Sequence, residues 1–173
     1  MNATDLQPSP LWRFSLGLYR VPGVADACIR LQDGCGVDVN LLLYLLWLAT
    51  ARRTVTRAEI EAIELQIAPW RDQAVIPLRG VRRAIKTPPG VIDPALADAL
   101  RTKVKSLELE AERLQQEALY VLAQNAPAGD LAASPDIAAR TSIAAYQEVL
   151  AWPFPDDAVE VVMSAFANRG EAR

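Results

Sequence analysis

The sequence predicts an all-α protein with a central buried helix at about residues 38–52 and one long helix at about 94–125. Apolar residues recur at helical spacings of three and four through most of the chain. No segment shows the alternation of polar and apolar residues that a strand would give, and capping residues and prolines mark the helix ends. The length of 173 residues suits one domain with a sizeable core.

The first three helices are predicted from their periodicity and their end signals. Apolar positions predict a helix at about 9–20, and Pro22 fits the first position of the next helix. Gly34 and Gly36 end that second helix. Asp38 is expected to cap the third helix, so that asparagine would serve equally well there. Because the third helix is apolar nearly all round, it must lie at the centre of the core.

The middle of the chain is predicted to be helical with two interruptions. Thr56 and Glu59 form a capping box that predicts a fourth helix at about 57–68. Pro69 is expected to end or kink this helix, because proline lacks the backbone N–H. The following segment is expected to be helical in two parts, broken near Pro77.

Asp93 and Pro94 open the longest helix, and Pro127 and Gly129 are expected to close it. Spacings of four and three predict an apolar seam on this helix that needs one covering face. The seam consists of Leu100, Val104, Leu107, Ala111, Leu114, Ala118 and Val121. Two further helices are predicted after a loop. The chain is expected to form a single domain over 1–173, in which residues 126–173 are either an integral part or a loosely attached helical appendage.

Composition excludes several classes of site. The chain has no histidine, which excludes imidazole-ligated zinc, Ser-His-Asp and Cys-His nucleophiles, and a histidine pH switch. Cys28 and Cys35 are too far apart on a helix for a disulfide, so they are predicted to be reduced thiols in a cytoplasmic protein. The first residues lack the features of a signal peptide, and no apolar run reaches the ~20 residues of a membrane span.

Charge is distributed unevenly along the sequence. Residues 1–105 carry a net charge of +4, and residues 106–173 carry −7. The candidate basic site consists of Arg79, Arg82, Arg83 and Lys86, whose spacing places them on one side of a helix. These side chains either pair with acidic residues of the fold, including the long helix, or bind an acidic partner or anionic ligand. A pI near 5.1 argues against nucleic acid.

The loop LQDGCGVDVN supplies the other candidate site residues, Asp33, Asp38 and Asn40. Carboxylate and amide oxygens could act as an acid pair or hold a hard cation. Two carboxylates without further ligands make a poor metal site, so the loop is predicted to be structural. In that interpretation Asp38 caps a helix, Asp33 lies at a helix end and Asn40 forms hydrogen bonds inside the core. No metal and no cofactor is predicted.

Two stretches, LWRFSLGLYRVPGVADACIRLQDGCGVDVNLLLYLLWLA at 11–49 and PWRDQAVIPLRGVRRAIK at 69–86, carry a resemblance to a known family. The chain resembles a family of short conserved proteobacterial proteins of unknown function. The resemblance implies a bacterial, cytoplasmic origin and supplies no mechanism.

Two hypotheses for function follow from the sequence. The first is a non-enzymatic helical adaptor or accessory protein that binds an acidic protein partner through the basic helix, the long seam or both. The second is a helical enzyme or a binder of a small anionic ligand bearing phosphate or carboxylate. In the second hypothesis Arg79, Arg82, Arg83 and Arg53 hold the anion, with Asp33 or Asp38 as acid or base. A deep polar pocket that joins these arginines to these aspartates would favour the second hypothesis, and a flat basic face beside exposed apolar seam residues would favour the first.

Overall fold

The computed structural model describes residues 7–125 and 128–169, so Pro127, which was expected to close the long helix, lies outside the described residues. The helices are α1 (Pro10–Tyr19), α2 (Val24–Cys35), α3 (Val39–Thr50), α4 (Arg57–Trp70), a π-helical segment (Arg71–Val75), α5 (Ile76–Ala84), α6 (Pro94–Asn125), α7 (Pro135–Leu150) and α8 (Asp156–Asn168). Two-residue strands β1 (Arg53–Thr54) and β2 (Asp130–Leu131) pair antiparallel. The predicted all-α class is confirmed. None of the described helices combines the length and hydrophobicity that a membrane span requires.

Helix α3 lies at the centre of a single compact domain, as predicted. It packs against α1, α2, α6 and α7, and nearly every side chain along it is buried. Leu45 and Leu46 are both fully buried. Residues 135–168, for which the sequence left a loose attachment open, contribute Tyr146 and Met163 to the same core. Helix α8 packs against α2, and α7 packs against α3 and α4.

The second helix begins later than predicted. Pro22 lies in a turn, because Gly23 adopts a left-handed φ of 85° and α2 starts only at Val24. Gly34 lies inside α2, and Gly36 ends the helix with a φ of 72°. That left-handed conformation, which glycine adopts at little cost, turns the backbone towards the start of α3.

The two interruptions predicted near Pro69 and Pro77 are changes of helix type and not gaps between helices. Helix α4 continues through Pro69 to Trp70, and the π-helical segment leads directly into α5, which has Pro77 in its first turn. The N–H of Ile76 donates to the carbonyl of Arg71, five residues earlier. This wider turn lies between the two prolines, where each missing N–H interrupts the α-helical hydrogen-bond pattern.

The predicted seam of α6 is only partly correct. Val104 and Ala111 are buried, but Leu100, Leu107 and Leu114 are between 42% and 57% exposed, and Ala118 and Val121 are exposed as well. The face that packs against the domain lies to one side of those leucines. It includes the polar residues Glu108, Gln115 and Gln116, which are at most 5% exposed. Hydrogen bonds and ion pairs therefore hold the middle of α6 against the other helices.

Candidate functional site

A cleft of about 480 Å³ opens where the end of α2, the start of α3, the π-helical segment and α5 meet. Its walls include five of the seven predicted site residues, namely Asp33, Asp38, Asn40, Arg79 and Arg83. Arg82 and Lys86 lie on α5 and just beyond it and do not line the cleft. The structure therefore brings the acidic loop and part of the basic helix into one polar cleft. Arg53 lies elsewhere and donates to the Gly129 carbonyl at 2.9 Å.

Asp38 is the most deeply buried carboxylate in the cleft wall. Its Oδ1 caps α3 by accepting from the N–H groups of Asn40, at 2.9 Å, and Leu41, at 3.4 Å. Its Oδ2 accepts from Gln115 Nε2 at 2.6 Å and from Arg71 Nη1 at 3.4 Å. The predicted cap is thus correct, and the second oxygen has partners that no local pattern indicates.

Arg71 lies in the π-helical segment and connects three carboxylates. Besides Asp38, its Nη1 donates to Glu64 Oε2 at 2.7 Å and its Nε donates to Asp72 Oδ1 at 3.2 Å. Burial alone would lower the pKa of Arg71, but the carboxylates of Glu64 and Asp38 raise it above its usual value. Arg71 is therefore a permanent cation in the cleft wall. Sequence reasoning missed it, because a single arginine after Trp70 has no distinctive spacing.

Glu64 is held between Arg71 and Tyr146. The Tyr146 hydroxyl accepts from the backbone N–H of Asp38 at 2.9 Å and donates to Glu64 Oε1 at 3.4 Å. Burial raises the pKa of Glu64 above its usual value, and the Asp38 carboxylate adds to the rise, while Arg71 opposes it. The surroundings of the Glu64 carboxyl group therefore favour its protonated form more than water does.

The basic helix faces the acidic long helix. Arg79 donates to Glu108 at 3.1 Å and to Glu112 at 2.8 Å, and Arg82 donates to Glu108 through its Nε and, at 3.2 Å, its Nη2. Burial alone would raise the pKa of Glu108, but the hydrogen bonds from Arg82 and Arg79 hold it below its usual value. Of the two alternatives left open by the sequence, pairing within the fold is the one observed for Arg79 and Arg82.

Arg83 and Lys86 differ from the other two basic residues. Arg83 Nη2 donates to both oxygens of Asp33 at 2.8 and 3.0 Å, and about half of each side chain is exposed. This hydrogen bond holds the pKa of Asp33 below its usual range. Lys86 is exposed. The Arg83–Asp33 pair is therefore the accessible ion pair of the cleft.

Side-chain amides form the floor between the cleft and α6. Asn40 Nδ2 donates to Gln115 Oε1 at 3.2 Å, and Gln116 Nε2 donates to Asn40 Oδ1 at 2.9 Å. Asn40 thus forms hydrogen bonds inside the core, as predicted. Neither glutamine is among the site residues predicted from the sequence, because both lie outside the predicted apolar seam of α6. We call Gln115, Asn40 and Gln116 the amide network.

Substituting Asp38 tests these contacts. Asp38→Asn is expected to cost about 1–2 kcal/mol in unfolding free energy, although asparagine retains the cap, because an amide NH₂ cannot accept from Arg71 or Gln115. Asp38→Ala should cost about 1 kcal/mol more, since the cap is also lost. Asp93→Asn is the matched control, because the exposed Asp93 only caps α6. Urea melts in which Asp38→Asn is as silent as Asp93→Asn would contradict the network.

Comparison with protein-family models places this architecture in a family. A model described as "Protein of unknown function (DUF2390)" matches residues 10–119. The chain belongs to the DUF2390 family. The DUF2390 region runs from the start of α1 into α6 and includes every residue that lines the cleft except Leu150. It extends past Lys86, where the resemblance seen in the sequence stopped, and so takes in Glu108 and both glutamines of the amide network. Searches of curated proteins and of solved structures gave no match.

Proposed function

We propose that this DUF2390 protein binds a small zwitterion, a molecule that carries both a carboxylate and a cationic group, in the cleft. The observation that carries the proposal is the presence of both charges in one cleft of about 480 Å³. Clefts of roughly 300–1,000 Å³ are typical of small-molecule sites. Three arginines line it together with four carboxylates, those of Asp33, Asp38, Glu64 and Asp72.

The exposed ion pair provides the place for the ligand's carboxylate. Arg83 and Asp33 are each about half exposed, so their pair contributes only ~0–1 kcal/mol to stability and can open at little cost. A ligand carboxylate can then replace Asp33 on the Arg83 guanidinium and form charge-assisted hydrogen bonds with it. The other charged groups of the wall are held in place by their own contacts.

The carboxylates of Glu64 and Asp72, which both contact Arg71, provide the place for the ligand's cationic group. Asp72 is 60% exposed at its side chain, and Glu64 is 17% exposed beside it on Arg71. A phosphate or an acidic protein surface would face these carboxylates and be repelled, whereas a cationic group would be attracted. The lining therefore supports a ligand of mixed charge more than a purely anionic one.

The adaptor hypothesis has less support. Binding through the basic helix requires a basic face on α5, and Arg79 and Arg82 are already paired with Glu108 and Glu112. Binding through the seam of α6 keeps its exposed leucines, Leu100, Leu107 and Leu114. Lys86 and the outer side of Arg83 are the basic groups of this helix region that a protein partner could still contact.

The location that we propose is the bacterial cytoplasm, which the free thiols of Cys28 and Cys35 support.

Calorimetric titration with the twenty amino acids and glycine betaine tests the cleft. At least one zwitterion is expected to bind with a Kd below about 1 mM. Acetate, methylammonium and inorganic phosphate, which each offer only one sign of charge, should bind at least about tenfold more weakly, because each satisfies only half of the lining. Binding of phosphate alone, or of no zwitterion, would refute the proposal.

Two matched arginine variants locate the binding. Arg83→Gln should weaken the zwitterion about tenfold, since the ligand carboxylate loses a charge-assisted partner. Arg140→Gln is the control, because Arg140 is similarly exposed and pairs with Glu160 and Asp136 outside the cleft. Equal effects of the two substitutions would show that binding occurs elsewhere.

A further inference from the structure

A second cavity of about 110 Å³ lies between α1, α3 and α6. About 10–15 Å³ is enough to hold one water, so this space can hold a small organic molecule. Its walls are apolar at Trp12, Leu16, Leu43 and Leu109. Gln116, Glu112, Ser15 and Tyr19 also line it. The cavity thus combines an apolar surface with a few polar groups, which is the usual composition of a ligand site.

The hydrogen bonds of the amide network determine which side-chain atom of Gln116 has no partner within the network. The Asp38 carboxylate can only accept, so Gln115 must present its NH₂ to it, and the Gln115 oxygen then accepts from Asn40. The Asn40 oxygen accepts from the Gln116 NH₂ in turn. The Gln116 carbonyl oxygen is the last acceptor in this series of hydrogen bonds. Its orientation is set by the Asp38 carboxylate, which acts through Gln115 and Asn40.

Two buried polar atoms, each on a residue that lines the cavity, have no hydrogen-bond partner among the described residues. They are Gln116 Oε1 and Ser15 Oγ, which belong to residues that are 1% and 3% exposed. Leaving a buried polar group unpaired costs about 1–3 kcal/mol, so native proteins rarely do so without a ligand or water to satisfy it. The Gln116 oxygen requires a donor, and the Ser15 hydroxyl can accept from one.

Glu112 is the acidic residue among those that line the cavity. Arg79 donates to Glu112 Oε1 at 2.8 Å from the cleft side, and the second oxygen of Glu112 leaves further acceptor capacity. Burial raises the pKa of the Glu112 carboxyl and of the Tyr19 hydroxyl above their usual values. A ligand cation next to Glu112 would act together with Arg79 in offsetting the cost of burying its carboxylate. Three acceptors and one negative charge match the three donors and one positive charge of an ammonium group.

We propose that the cavity lined by Ser15, Glu112 and Gln116 is a second binding site, which takes a small primary ammonium ion with an apolar body. The ammonium group donates to Gln116 Oε1, Ser15 Oγ and the Glu112 carboxylate. The apolar body lies against Trp12 and the leucines. Gln32 and Asn40 line both this cavity and the zwitterion cleft, whereas Ser15, Glu112 and Gln116 line the cavity and not the cleft.

Benzylamine is the probe, and benzyl alcohol is its neutral analogue of the same shape. Followed by two-dimensional NMR of the whole protein at pH 7, benzylamine is expected to shift the signals of Ser15 and Gln116 with saturation at millimolar concentrations or below. Benzyl alcohol should bind at least tenfold more weakly. No saturable shift up to about 10 mM, which is what water alone in the cavity would give, would overturn the proposal. So would benzyl alcohol binding as tightly as the amine.

Matched variants assign the binding to the cavity. Ser15→Leu should fill the space and abolish benzylamine binding, while Ser106→Leu, at an exposed serine of α6, should leave it unchanged. Should Ser15→Leu fail to fold, Ser15→Ala removes one acceptor and should weaken the amine roughly threefold to tenfold. Glu112→Gln should remove the preference for amine over alcohol, and Glu110→Gln, on the exposed side of α6, should not. Undiminished binding to a folded Ser15→Leu or Ser15→Ala variant, or a preference that survives Glu112→Gln, would contradict the assignment.

Discussion

Arg82→Glu is expected to lower the free energy of unfolding by about 3–5 kcal/mol, whereas Arg83→Glu should change it by less than about 1 kcal/mol. The two arginines are neighbours in sequence and carry the same charge. Arg82 pairs with Glu108, whose side chain is only 7% exposed, so the substitution places two carboxylates together out of water. Arg83 pairs with Asp33 at the surface, where solvent screens the repulsion.

Urea melts of the two single variants measure this difference directly. A rescue variant sharpens the test, because Glu108→Gln combined with Arg82→Glu removes one of the two facing carboxylates and should recover part of the lost stability. Equal, small losses for Arg82→Glu and Arg83→Glu would mean that Arg82 is solvated. In that case α5 would present the basic face through which the adaptor hypothesis can bind a partner.

Leu46→Ala is expected to cost about 2–5 kcal/mol, from lost burial and from the cavity that remains. Leu46 and its neighbour Leu45 are both 0% exposed on α3, and helices pack around them on several sides. The surrounding helices cannot close over the space without moving several elements at once. The cost should therefore exceed that of a leucine at the edge of the core.

Leu65→Ala is the control for this substitution. Leu65 lies on α4 and is 79% exposed, so the same change of side chain should cost less than about 0.5 kcal/mol. Thermal or urea melts measure both variants. A cost below about 1 kcal/mol for Leu46→Ala would show that α3 is peripheral and that the fold is organised around another helix.

Local signals in the sequence were sufficient for many of the elements. The capping box of Thr56 and Glu59 is present, Asp38 caps α3, and α6 begins at Pro94 and ends at Asn125 as predicted. Each of these features depends on residues within one helical turn of each other. The physical cause of such an end signal is complete within the sequence segment that carries it.

The packed face of α6 could not be predicted in the same way. Spacing favours Leu100, Leu107 and Leu114, which are adjacent to the buried side, while the buried side itself carries Glu108 and Gln115. Those two polar residues are buried because Arg82, Arg79, Asp38 and Asn40 satisfy them from distant segments. A pattern of hydrophobicity cannot represent partners that only the tertiary fold supplies.

The difference between local patterns and partners supplied by the tertiary fold also explains which residues of the cleft could be predicted from the sequence. Asp33, Asp38 and Arg83 stand in short segments with a local charge or glycine pattern, and the sequence singled them out. Arg71 and Glu64 are seven positions apart along one helical stretch, and their importance comes from Asp38 in another element. Their roles arise from the junction of α3 with the π-helical segment, for which the sequence offers no local signal.

The most direct test of the binding cleft is an NMR titration that observes the arginine Nε–H signals while the tightest zwitterion of the amino-acid panel is added. The signals of Arg71 and Arg83 are expected to move together and saturate at the calorimetric Kd, because both guanidinium groups line the cleft. The signals of Arg57 and Arg140, which pair with carboxylates outside the cleft, should stay fixed. Movement at Arg140 equal to that at Arg83, or no movement at Arg71 and Arg83 at saturation, would contradict the cleft as the binding site.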